Sequence, residues 1–119
     1  IDLSTGEHLW MKPMGNGDRM RNLPMLRDLD LPPLGGDSSR AGPLLTKNLL
    51  IYALTTGGTT DGPRLVALDK MTGDEMASVD LPGGAIGTPM TYMLDGKQYI
   101  ALTVGGDPVP ELIAFTLPE

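Results

Sequence analysis

Between residues 41 and 117 the chain alternates short apolar-rich runs with small clusters of Gly, Pro, Asp, Asn and Thr, the pattern of brief strands joined by tight turns. The longest such stretch is Gly87-Thr88-Pro89-Met90-Thr91-Tyr92-Met93-Leu94-Asp95-Gly96-Lys97-Gln98-Tyr99-Ile100-Ala101-Leu102-Thr103-Val104-Gly105-Gly106. Asp95-Gly96 sits between its two apolar runs and can supply the positive φ values of a type I′ turn, so a β-hairpin is predicted there. A second reversal is expected at Leu68-Asp69-Lys70-Met71-Thr72-Gly73. Asp69 and Thr72 can hydrogen-bond turn backbone, and Gly73 accepts a left-handed conformation. Two hairpins in series make a meander.

The apolar runs also repeat. Ile51-Tyr52-Ala53-Leu54-Thr55-Thr56-Gly57-Gly58 matches the run from Tyr99 to Gly106, 48 residues later. Leu65-Val66-Ala67 matches Leu112-Ile113-Ala114 after 47 residues, and Pro43-Leu44 matches Pro89-Met90 after 46. These offsets fall in the range of ~40–50 residues typical of a four-stranded propeller blade. A further copy of the turn pattern, Ile1-Asp2-Leu3-Ser4-Thr5-Gly6-Glu7-His8-Leu9-Trp10, precedes Leu68-Asp69-Lys70-Met71-Thr72-Gly73-Asp74-Glu75-Met76-Ala77 by 67 residues, one blade plus an insertion.

The fold class expected is all-β, a partial propeller of about two and a half four-stranded antiparallel blades in one domain over 1–119. Residues 1–11 end one blade, with its outer strand at 7–11, and 12–40 form a long connection. Residues 41–81 form a full blade, with strands at 43–46, 49–55, 64–69 and 74–81. Residues 82–119 form a final blade that lacks its fourth strand, with strands at 88–93, 97–104 and 111–117. The 12–40 connection lacks alternation and is rich in Gly, Pro, Asp and Arg; Pro24 suits the first turn of a short helix through Leu29. A connection of this length without structure is usually functional or disordered.

Composition agrees with this picture. Gly 16 and Pro 11 among 119 residues favour turn-dense β structure, and a single Phe and a single Trp leave the core to aliphatic side chains. A chain this small buries only ~60–70% of its unfolded surface, so its stability margin is narrow and no second domain fits. The net charge of −6, with no run of Lys or Arg, disfavours nucleic acid and anionic membrane surfaces as partners. Zero Cys removes disulfides, thiolate nucleophiles and Cys-based metal sites, and leaves the compartment open. No apolar run reaches the ~18–20 residues that span a bilayer, and no stretch of this sequence is expected to be a signal peptide. Ile1 falls inside a turn motif, so the chain is expected to be a piece of a longer protein.

Along its whole length the chain resembles the C-terminal part of the pyrroloquinoline quinone (PQQ) dependent dehydrogenases, in particular the branch of the membrane-bound quinoprotein glucose dehydrogenases. The most specific parts are Leu68-Asp69-Lys70-Met71-Thr72-Gly73, the run from Gly87 to Gly106, and Pro110-Glu111-Leu112-Ile113-Ala114-Phe115-Thr116-Leu117-Pro118. The resemblance implies an eight-bladed parent ring, in which the N-terminal segment closes the last blade. It also implies that Trp10, following a Thr-Gly turn, packs between neighbouring blades as a docking tryptophan. Ala77 stands at the matching place in the next repeat and should make a weaker contact.

In an up-and-down blade the connections alternate between two rims. Lys47-Asn48, Met71-Thr72 and Asp95-Gly96 share one; the 12–40 segment and the loops 55–63, 82–87 and 105–110 share the other, where function is expected because loops on a rigid scaffold carry it. Its polar candidates are Asn16, Asp18, Asp37, Arg40, Asp61, Thr88 and Asp107. The resemblance places cofactor and substrate at one end of the propeller, near its axis, and makes Arg40, Asp61 and Thr88 the candidate cofactor-binding residues. Asp61 matches an acidic residue near the quinone in related enzymes, with a one-residue slip at Gly62-Pro63; its plain alternative is a solvated loop carboxylate. Arg40 can pair bidentately with an anionic quinone or a carboxylate, or cap loop carbonyls. Gly42-Pro43 and Gly87-Thr88-Pro89 begin innermost strands, where glycine allows close approach of a flat ligand.

Other candidates carry less. Asp37 and Asp107 each adjoin Gly-Gly, but calcium needs 6–8 oxygens and no D-x-D-x-D-G spacing exists, so both read as turn formers. His8 is the single histidine, and no Gly-x-Ser-x-Gly elbow accompanies it, so it reads as structural or exposed. Gly15-Asn16-Gly17-Asp18 matches no phosphate-binding pattern, and the eight Met residues read as packing.

By resemblance, the parent oxidises a sugar or polyol by hydride transfer to PQQ, with calcium polarising the quinone carbonyl and a respiratory acceptor taking the electrons. It would be periplasmic. The catalytic carboxylate and principal calcium ligands would lie upstream, so no catalytic or metal residue is assigned here. The isolated chain is expected to bind no cofactor tightly, to be inactive, and to self-associate through open blade edges. Two other classes stay open: a non-catalytic propeller of the same repeat type acting as a binding scaffold, and an autonomous small β protein.

Overall fold

The computed structural model describes residues 1–37, 40–106 and 109–117. Among the described residues seven strands form two antiparallel sheets in which sequence neighbours are spatial neighbours. The first sheet has the order β1 (Leu44–Leu45), β2 (Leu49–Leu54), β3 (Arg64–Asp69), β4 (Glu75–Asp80). The second has β5 (Met90–Leu94), β6 (Lys97–Val104), β7 (Glu111–Thr116). These are a four-stranded blade and a three-stranded blade, and the 46–48 residue period is the step from one to the next.

The turns form for the reasons the residues suggest. Asp95 and Gly96 have φ of 50° and 77°, as a type I′ turn requires. In the β3–β4 reversal, Asp69 Oδ1 accepts hydrogen bonds from the Met71 and Thr72 amides at 2.7 and 3.0 Å, and Gly73 takes φ 78°. β1 and β2 are joined through Thr46, whose amide donates to the Leu49 carbonyl at 2.9 Å.

Strand alternation then sorts the side chains. Ile51, Ala53 and Leu65 of the first sheet form one apolar cluster with Leu102 and Val104 of the second, completed by Ala41, Leu81 and Ala85. This cluster is the interface between the two blades. Each Ile, Leu or Val side chain buried there contributes about 1.5–3 kcal/mol. The other face of the first sheet carries Leu50, Tyr52, Leu54, Val66 and Leu68, covered by Trp10 and Met14.

The Trp10 ring lies on Gly73: a Cβ at Gly73 would stand 2.6 Å from the Trp10 ring, and the indole N–H donates to the Lys70 carbonyl at 2.9 Å. Lys12 Nζ adds a hydrogen bond to the Gly73 carbonyl at 3.3 Å. The docking tryptophan is therefore in place, while Ala77 is exposed and simply faces Ala67 in the ladder.

Two local expectations are corrected. Residues 7–11 do not form a strand: the described residues offer that segment no partner ladder, and an unpaired strand leaves its amides and carbonyls to water. Residues 24–29 do not form a helix. Leu26, Arg27 and Leu29 make isolated turn hydrogen bonds, and Leu23, Met25 and Leu29 stay exposed, so no packing offsets the cost of nucleation. The helical turn in this connection is α1 (Asp18–Arg21), with Asp18 in its first turn and Arg19 and Arg21 in its last, each matching the helix dipole. Arg21 Nη1 ties it to the carbonyls of Leu31 and Pro32.

Candidate functional site

Antiparallel order places the β2–β3 loop, the 81–89 connection and the β6–β7 loop on one rim, and the short turns on the other. Contacts along the first rim bear this out. Gly105 N donates to Gly84 O at 2.7 Å, Ala85 bridges to Val104, and Leu81 N donates to Pro63 O at 2.9 Å. A Cβ at Gly83 would collide with the Gly105 carbonyl, so only glycine lets these strands close on each other.

A cavity of about 630 Å³ opens on this side of the first blade, between the 12–40 connection and the covered sheet face. Pro13, Pro32, Pro33 and Leu54 give it apolar walls; Asn16, Tyr52, Asp61, Arg64 and Glu75 give it polar ones. Arg64 Nη1 pairs with Glu75 at 3.0 Å, while its buried Nε, against Gly57, has no hydrogen-bond partner among the described residues. Burial pushes the Tyr52 phenol above its ordinary value. A second cavity of about 600 Å³ lies around Trp10, Leu45, Leu50 and Met71.

The loop that brings Asp61 to the first cavity is tightly folded. Gly58 N donates to Gly62 O and Asp61 N to Gly58 O, both at 2.8 Å, and Asp61 takes a left-handed φ of 59°. The Asp80 carboxylate accepts from the Thr59 amide at 3.1 Å and from the Thr59 hydroxyl. The Asp37 carboxylate accepts from the Thr55 amide and hydroxyl, both at 2.8 Å.

The three candidate cofactor residues share the rim but not one cavity: Asp61 lines the first, whereas Arg40 and Thr88 line neither. Arg40 is exposed just before the first blade. Thr88 Oγ1 accepts from Gly42 N at 3.1 Å, which joins the inner ends of the two blades. A Cβ at Gly42 would stand 2.9 Å from Thr88 Oγ1 of the second blade, and one at Gly87 would stand 2.5 Å from Thr103 Oγ1 of its own blade. Gly42 therefore serves packing between the blades and Gly87 packing within the second, at positions where close approach of a flat ligand was expected. Asp37, read as a turn former, instead reaches across to Thr55, while Asp107 lies outside the described residues. Among the described residues no three His, Cys, Asp or Glu side chains gather to hold a metal.

Sequence reasoning missed Tyr52, Arg64, Glu75 and Asp80. The first three sit at ordinary strand positions, and their convergence depends on the β2–β3–β4 pairing. Asp80, beside Leu81-Pro82, carries no local motif.

Two consecutive four-stranded-type blades, meander-connected, with a tryptophan docked on the following blade's turn, define a β-propeller of the quinoprotein class. The family model described as PQQ: glucose/ethanol/alcohol dehydrogenase, beta-propeller domain, matches residues 1–100, and the chain belongs to that family. It is 34% identical to the glycerol dehydrogenase large subunit of Gluconobacter thailandicus over 126 residues. It is 33% identical to quinoprotein glucose dehydrogenase A of Acinetobacter calcoaceticus over 128, and 34% identical to quinoprotein glucose dehydrogenase of Escherichia coli (strain K12) over 129. Each match covers 100% of this chain but 15–16% of the relative, so the chain spans a small part of the relatives it matches. No helix among the described residues is long and apolar enough to cross a membrane.

Proposed function

We propose that this chain contributes consecutive blades to the ring of a PQQ-dependent dehydrogenase that oxidises a sugar or polyol, with its loop-bearing rim facing the cofactor. The observation that carries the reading is the match of the whole chain to quinoprotein glucose and glycerol dehydrogenases. When bound, PQQ supplies a quinone that accepts hydride, and calcium supplies a Lewis acid beside it. Arg40 would hold an anionic group of the cofactor, while Asp61 and Thr88 would fix its edge from this side. The catalytic carboxylate and the calcium ligands belong to other blades. The protein would be periplasmic and would pass electrons to a respiratory acceptor.

The test is dye reduction with PQQ, calcium and a panel of aldoses and polyols, using the longer protein that carries this stretch. Asp61→Asn and Arg40→Ala should each raise the PQQ concentration for half-maximal activity about tenfold, the scale of one charge-assisted hydrogen bond. Activity without PQQ, or none with it on any polyol, would overturn the reading, the latter in favour of a scaffold. The 119-residue chain alone is expected to show no tight binding and no turnover, because precise placement of a ring cofactor needs contacts from several sides. It is also expected to self-associate. The second blade leaves Met90, Met93, Leu94 and Leu112 exposed, and among the described residues β7 has one unpaired edge. Light scattering across micromolar concentrations checks this; a compact monomer throughout would contradict it.

A further inference from the structure

The start and the middle of the 55–63 loop are each held by an aspartate from a different part of the chain, and both use the same device. Asp80, the last residue of β4, takes the amide and the hydroxyl of Thr59 on its carboxylate. Asp37, at the end of the long connection, takes the amide and the hydroxyl of Thr55 on one carboxylate oxygen. A threonine that donates both its groups to a carboxylate fixes its backbone as well as its side chain, which a single contact does not.

The surroundings are shaped for these two clamps. A Cβ at Gly58 would stand 2.7 Å from Asp80 Oδ1, so glycine is needed for the Asp80 carboxylate to reach Thr59. A Cβ at Gly15 would stand 2.7 Å from Asp37 Cβ, and the Asp37 amide donates to Met14 O at 3.1 Å. Asp37 thus ties the Pro13–Asn16 wall of the cavity to the loop that forms the opposite wall. Asp61 follows Thr59 by two residues, in the turn its own amide closes on Gly58 O at 2.8 Å, and in a left-handed conformation that a non-glycine residue adopts only when its surroundings determine it.

We infer that Asp37 and Asp80 are positioning residues: acting through Thr55 and Thr59, they hold the Asp61 carboxylate at one place on the cavity wall. The inference rests on the proposed function only in taking Asp61 as the group to be presented; the clamps stand without it. Neither aspartate needs to touch a ligand. Their effect is that Asp61 meets its partner already oriented, so binding loses no loop entropy.

The test uses the 119-residue chain, labelled for NMR, with Thr59→Val, Thr59→Ser, Asp80→Asn and Asp37→Asn. Thr59→Val and Asp80→Asn should each speed hydrogen exchange of the Asp61 amide about tenfold, with the Tyr52 and Val66 amides unchanged as proof of an intact blade. Thr59→Ser should restore protection, since it keeps the hydroxyl. Asp37→Asn should loosen the Thr55 amide by a similar factor. Protection of Asp61 within twofold of the parent in both Thr59→Val and Asp80→Asn, or failure of Thr59→Ser to rescue, overturns the inference. The PQQ dependence of the longer protein separates the two readings. If the variants loosen Asp61 while Asp61→Asn in the longer protein leaves the PQQ concentration for half-maximal activity unchanged, the clamps are upheld and Asp61 is removed from cofactor contact.

Discussion

The two blades use equivalent positions to different ends. In the first, Ile51, Ala53 and Leu65 are all buried against the second blade, and the opposite face is covered by Trp10 and Met14. In the second, the equivalents are Tyr99, Ala101 and Leu112; Ala101 is buried, Tyr99 is half-buried beside Tyr92 with ring centroids 5.2 Å apart, and Leu112 is 72% exposed. The repeat is the same and the neighbours differ. Burial in a propeller is therefore a property of the stack, and a blade is finished by what lies against it.

Substitution at two leucines should show this contrast most strongly. Leu102→Ala, at the interface of the blades, should cost about 2–5 kcal/mol by urea unfolding, whereas Leu112→Ala on the open face should stay within about 0.5 kcal/mol. Equal losses would mean that the outer face of the second blade is covered in solution.

Trp10→Ala turns the first blade into a likeness of the second by uncovering its face. Trp10 is half-buried and gives up one hydrogen bond as well as its packing, so a loss of about 2–3 kcal/mol is expected. Self-association should rise with it, measured by sedimentation. A stability unchanged from the parent would show that the covering segment carries no weight.

The smallest effect is electrostatic and belongs to the first blade alone. Hydrogen bonds from Thr59 hold the Asp80 carboxyl below its ordinary value. A carboxyl whose folded pKa lies below its unfolded one stabilises at pH above the unfolded value, near ~3.9, and loses that contribution as pH falls through the folded one. The parent should therefore lose more stability than Asp80→Asn as pH drops below about 4, and the two curves should run parallel above it. Curves parallel down to pH 2 would remove the linkage.

Much of the fold was legible because its signals are local. Asp95-Gly96 can adopt the turn it needs, Asp69-x-x-Thr-Gly bonds its own backbone, and the apolar runs repeat at blade spacing. The strands so read differ from those observed by one or two residues at their ends. What was not legible is made at a distance. Segment 7–11 has the residues of a strand without a ladder to join, and the turns around Pro24 have nothing to pack on. The rim loops are ordered by carboxylates, Asp37 on Thr55 and Asp80 on Thr59, separated by 18 and 21 residues, and no periodicity encodes such pairs. Gly42 and Gly87 were legible as sites of close approach, but the partner turned out to be a threonine, from the neighbouring blade at Gly42 and from the same blade at Gly87.

The claim beneath all of this is that two antiparallel blades lie face to face. The direct measurement is a methyl NOE spectrum of the chain. Cross-peaks are expected between the group Ile51, Ala53 and Leu65 and the group Leu102, Val104 and Ile113, with β2 and β6 each showing antiparallel backbone contacts within its own sheet. Absence of those inter-sheet peaks, or backbone contacts that pair residues 49–55 directly with 99–104, would contradict it.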